Sequence, residues 1–129
     1  MKRQDALYVA ACVGTIAFSI AFVLPQFTGQ AVLWYFPLER SWALTTPPTS
    51  LAIDFYGRLL QGTVVAAATI ALTLLVTSRI KTEHLPRKIA SLLVAWAIAF
   101  VILVMMYYAW TLAFRVPVAA PIPDWYIPR

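Results

Sequence analysis

The sequence predicts an all-α integral membrane protein: one membrane domain of three transmembrane helices with an extended aromatic and Pro-rich outer loop and C-terminal tail. Three observations carry that expectation. Hydrophobic residues make up 62% of the 129 positions and charged residues 12%, against about 25% charged in a soluble domain. The apolar residues are gathered into three long blocks, for which a bilayer is the natural solvent. None of the three blocks contains Asp, Glu, Lys, Arg or His.

The first block, residues 6–24, reaches about 28 Å at helical rise, close to the thickness of a hydrocarbon core. Lys2 and Arg3 precede it and Gly29-Gln30-Ala31 forms a loose small-x-small cleavage site, so a signal peptide is the competing reading. The run is longer than the roughly 7 to 15 residues of a signal core, which favours a retained span. Pro25 and Gly29 are expected to end it.

The outer loop, residues 25–50, is longer than a helix connection needs. Within it the segment 31–36, AVLWYF, is too short to span, and Trp34 and Tyr35 suit a membrane interface. It is expected to lie on the outer leaflet and to break at Pro37. Glu39 and Arg40 follow, flanked by Trp42, as an adjacent charge pair of the solvated kind worth about 0 to 1 kcal/mol. Pro47 and Pro48 force extended backbone before them. Thr49 or Ser50 then offers a helix cap.

The second helix is expected over residues 51–77, with its apolar core at 59–76. Asp54 and Arg58 fall one turn apart on one face, with Asp54 near the positive end of the helix dipole and Arg58 snorkelling to phosphate. Together with Tyr56 and Gln61 they outline a polar notch for a lipid headgroup, a quinone or a partner's side chain.

The loop at residues 78–88 is basic, and the third helix is expected at 89–114, with Tyr107, Tyr108 and Trp110 reaching the headgroups. Prolines at 117, 121, 123 and 128 forbid a regular helix in the tail, residues 115–129, and favour polyproline II. Trp125 and Tyr126 make that tail more useful docked, on the outer loop or on a partner, than free in water.

Basic residues stay on the cytoplasmic side. Lys2, Arg3, Arg79, Lys81, Arg87 and Lys88 lie on one side of the spans, and Arg40, Arg58, Arg115 and Arg129 on the other. The bias places the N-terminus in the cytoplasm and the C-terminus outside, in the periplasm if the membrane is a bacterial inner membrane. The net charge of +5 is scattered near block ends, which fits anionic lipid headgroups and not a nucleic acid.

Several chemistries lack their residues. Proton relays and voltage sensors need ionisable groups within the hydrocarbon. A haem held by two imidazoles needs two histidines, and His84, in the basic loop, is the sole one. Cys12 is the sole cysteine and reads as a small packed residue. No nucleophile elbow, zincin motif or Gly-rich phosphate loop is present. No catalytic residue, metal ligand or cofactor is therefore expected.

Small residues recur one turn apart in every span: Ala6, Ala10 and Gly14; Ala11, Thr15 and Ser19; Gly62 and Ala66; Thr63, Ala67 and Ala71; Ser91, Ala95 and Ala99. Such stripes let helices approach closely in lipid. Their ordinary use is to pack the three helices on one another, and any left over suit a larger assembly. The expected function is a small non-catalytic accessory subunit of a respiratory, photosynthetic or transport complex, contacting larger membrane subunits. Two rivals are a homo-oligomeric pore lined by Thr69, Thr73 and Thr77, and a lipid- or quinone-binding module centred on Asp54 and Arg58.

Overall fold

The computed structural model describes residues 2–28, 31–44, 55–80 and 84–114. Along them run α1 (Arg3–Thr28), β1 (Trp34–Phe36), β2 (Ser41–Ala43), α2 (Phe55–Ser78) and α3 (Arg87–Phe114). The helices have 26, 24 and 28 residues, about 36 to 42 Å each. All three are long and apolar enough to cross a membrane.

Hydroxyl side chains inside these helices turn back on their own backbone. Thr15 Oγ1 donates to the Ala11 carbonyl and Ser19 Oγ to the Thr15 carbonyl, both at 2.9 Å. Thr69 and Thr73 donate to the carbonyls of Val65 and Thr69 at 2.7 Å. Each proton is thus satisfied within its helix, which removes most of the cost of placing a hydroxyl in lipid.

Pro25 does not end the first helix. It lies inside α1, which continues to Thr28. The ring withholds one amide from the carbonyl a turn earlier, a loss that a membrane helix tolerates when neighbouring groups compensate. In the last turn Thr28 Oγ1 donates to the Leu24 carbonyl at 3.0 Å. The third helix starts two residues before its apolar run, because the Pro86 carbonyl accepts the amides of Ile89 and Ala90, each at 3.0 Å.

Residues 34–36 of the segment expected on the outer leaflet form one arm of a β-hairpin. β1 pairs antiparallel with β2 in the register Trp34 to Ala43, Tyr35 to Trp42 and Phe36 to Ser41. The connection, residues 37–40, is a four-residue turn in which Arg40 takes a left-handed φ of 50°. The described residues therefore form three helices plus this small sheet, whose first strand packs on α2.

α1 is the spine. It packs against both α2 and α3, whereas α2 and α3 make no close backbone approach to each other among the described residues. Of its membrane-length window 33% is buried, against 6% for each of the other two. Small residues explain the closeness on the α2 side. A Cβ on Gly62 would sit 3.0 Å from the Phe18 ring, and one on Gly14 would press on the Ile70 side chain.

The stripes divide accordingly. Ala10 and Gly14 are buried, and Gly62 and Ala66 turn toward α1. Ala11 and Thr15 line the seam with α3. Thr63, Ala67 and Ala71 on α2 are exposed, as are Ser91 and Ala95 on α3, with Ala99 half-buried. Apart from Ala99, the last two stripes are left exposed among the described residues.

Candidate functional site

At one end of the bundle the hairpin, the start of α2, the end of α1 and the end of α3 are joined by aromatic rings. Aromatic and β-branched residues favour strands, and in this hairpin the cross-strand partners Tyr35 and Trp42 bring their rings to 4.9 Å. Tyr35 also meets Tyr56 edge-on at 5.9 Å. Phe55, the neighbour of Tyr56, meets Phe22 of α1 edge-on at 5.8 Å, and Phe22 leans on Tyr108 of α3 at 5.5 Å. Phe27 and Tyr107 close the set at 5.6 Å. Such ring pairs each contribute about 0.5 to 1.5 kcal/mol beyond their area.

The hairpin sits close to α2 because of one glycine. A Cβ on Gly57 would collide with the backbone carbonyl of Leu33 and lie 3.0 Å from Val32 Cγ1. Val32 and Phe36 are buried at 7% and 2% exposure, so the arm preceding and forming β1 is anchored inward at both its ends.

Of the expected site residues, Tyr35, Trp42 and Tyr56 come together through their rings. Trp34 is half-buried opposite Ala43. Glu39 and Arg40 are exposed in the turn, and a Glu39 carboxylate oxygen accepts from Ser41 Oγ at 3.4 Å. Trp42 and Tyr56 are each 48% exposed and share Tyr35 as a ring neighbour. Gln61 is half-buried. Asp54, Trp125 and Tyr126 lie outside the described residues.

Arg58 departs from its expected place. Instead of snorkelling to phosphate it is buried, 7% exposed, next to the glycine that receives the hairpin. The rim of the hairpin end is thus aromatic, with Trp42, Tyr35 and Tyr56 on it, and the guanidinium is withdrawn from it.

The threonines of the expected pore lining do not share one open face. Thr69 and Thr73 are half-buried, and Thr77 is buried at 5% exposure with its hydroxyl donating to the Leu74 carbonyl at 3.1 Å.

The opposite end carries two contacts with no signature in local sequence. Tyr8 Oη donates to the Ala90 carbonyl at 2.9 Å, and Asp5 Oδ2 accepts the Leu85 amide at 3.1 Å. They clip the start of α1 to the entry of α3. Between them and the middle of the bundle, Tyr8, Cys12 and Thr15 of α1 and Val94, Ala97 and Ile102 of α3 border an open apolar groove of about 380 Å³. Among the described residues no three His, Cys, Asp or Glu side chains converge.

Comparisons with protein-family models, curated proteins and solved structures find no match to this chain.

Proposed function

We propose that the chain is a small non-catalytic accessory subunit of a larger membrane assembly, of the respiratory, photosynthetic or transport kind, held by the outer faces of α2 and α3. One observation carries this reading: Thr63, Ala67 and Ala71 on α2 and Ser91 and Ala95 on α3 are exposed. In lipid there is no hydrophobic drive between helices, so small residues at an outward face are useful chiefly where another helix comes close. Leu92, Ala95, Trp96 and Ala99 shape a shallow groove of about 330 Å³ along α3, bounded on one side by the Trp96 ring. The aromatic rim of Tyr35, Trp42 and Tyr56 adds a second contact, on the outer side of the membrane if the basic residues follow the usual bias.

The test is native mass spectrometry of the chain extracted in mild detergent. A stoichiometric set of larger membrane subunits is expected with the wild-type chain. Ala95→Leu, which fills the outward groove, should strip those subunits while leaving the isolated chain folded. A wild-type chain that emerges alone, or an Ala95→Leu chain that keeps its full set, overturns the reading.

A further inference from the structure

The start of α1 and the end of α2 enclose a notch of about 380 Å³, lined by Arg3, Ala6 and Leu7 from α1 and by Leu74, Thr77 and Ser78 from α2. That volume is within the about 300 to 1,000 Å³ of small-molecule sites. We propose that this notch binds one glycerophospholipid with an anionic, hydroxyl-bearing headgroup, its phosphate on Arg3 and an acyl chain along Leu7 and Leu74. The proposal rests on the helices crossing a bilayer and is independent of the accessory-subunit reading.

Charge selects the occupant. Lys2 and Arg3 stand at the α1 entry, and Arg79 follows Ser78 directly. The carboxylate nearest in sequence, Asp5, is committed to the Leu85 amide, on the side of α1 that meets the entry to α3. Of the residues lining the notch Arg3 brings positive charge and Ala6, Leu7 and Leu74 bring apolar wall, the pairing that a phosphate followed by hydrocarbon requires.

The hydroxyls refine the headgroup. Thr77 Oγ1 donates to Leu74 O at 3.1 Å and Ser78 Oγ to Leu75 O at 2.7 Å. With their protons used, both oxygens are left as acceptors. A glycerol headgroup supplies two neutral donors for them, whereas a phosphate monoester has at most one, on the group already drawn to Arg3.

The full-length chain, stripped of lipid in detergent, is offered phosphatidylglycerol, phosphatidic acid and phosphatidylcholine of identical acyl chains, and retained lipid is read by native mass spectrometry. One phosphatidylglycerol per chain should be retained, with the other two held at least about fivefold less. Arg3→Gln should lower phosphatidylglycerol retention about fivefold, the loss of one basic contact at a membrane surface. Arg3→Lys should keep it, and Arg40→Gln, at the hairpin end, should change nothing. Soluble glycerol 3-phosphate should not displace the lipid, because the acyl contacts with Leu7 and Leu74 are missing. Equal retention of phosphatidylcholine or phosphatidic acid, full retention by Arg3→Gln, or displacement by glycerol 3-phosphate overturns the proposal.

Discussion

The hydroxyl of Tyr8 donates to the carbonyl oxygen of Ala90 at 2.9 Å, joining α1 to α3 across 82 positions of sequence. Because α3 packs on the rest of the described fold only through α1, that bond guards the seam in which the free thiol of Cys12 is buried. Tyr8→Phe should raise the rate at which a membrane-permeable maleimide alkylates Cys12 severalfold, by favouring local opening. An unchanged rate would mean that the seam is closed by packing alone.

Asp5 makes the companion contact with the Leu85 amide at 3.1 Å. Asp5→Ala should destabilise the entry to α3 by about 1 kcal/mol, below the about 1.5 to 3 of a bond to a charged group because the contact is only part-buried. Asp5→Asn, which keeps an acceptor oxygen, should lose less. Hydrogen exchange at the Leu85 amide is the direct readout, and equal protection in the alanine variant would show that the bond contributes nothing there.

Gly57 and Gly14 should respond differently to alanine. At Gly57 the obstacle is the Leu33 backbone, which has no rotamer to change, whereas at Gly14 it is the Ile70 side chain. Gly57→Ala should lift the hairpin from α2 at a cost of about 2 to 3 kcal/mol, and Gly14→Ala should cost about 1 to 2. Amide exchange over residues 34–43 should accelerate in the first variant alone.

Arg40, at φ 50°, occupies a backbone region that costs a non-glycine residue about 1 to 2 kcal/mol. Arg40→Gly removes that strain but loosens the unfolded chain, so the net gain for the hairpin should be about 0.5 to 1 kcal/mol. Arg40→Val should instead destabilise it, since a branched Cβ tolerates this region least. Slower exchange at the Trp42 amide in the glycine variant, and faster in the valine variant, is the expected pair of results.

Tyr35 and Trp42 should prove coupled. A double-mutant cycle to alanine should return about 0.5 to 1.5 kcal/mol for rings whose centroids are 4.9 Å apart. A value near zero would show the cross-strand contact to be incidental to the register.

The spans are legible in the residues because an uncharged apolar run of 18 residues or more is too long for a buried core helix and fits the thickness of a bilayer. Their packing is less so. Which stripe faces α1 depends on three-dimensional partners, and Ala95 and Ala97 differ by two positions yet face outward and inward. The hairpin has a local signal, the aromatic run Trp34-Tyr35-Phe36 and the segment Ser41-Trp42-Ala43 separated by a four-residue turn opening with Pro37. Three-residue strands are too short for period-two alternation to stand out. Asp5 and Tyr8 have partners 80 and 82 positions away, a pairing no local pattern carries. Arg58 escapes sequence reasoning for a related reason: snorkelling assumes lipid around the side chain, and in the fold that side chain is buried.

Among the described residues α1 packs on both later helices while they do not pack on each other. Synthesis runs in the same direction as that dependence. α1 leaves the ribosome before both of the helices that pack on it, so each arrives to find its partner already made. Loss of α3 would leave α1, α2 and the hairpin in contact, whereas loss of α1 would leave α2 and α3 without a packing contact among the described residues.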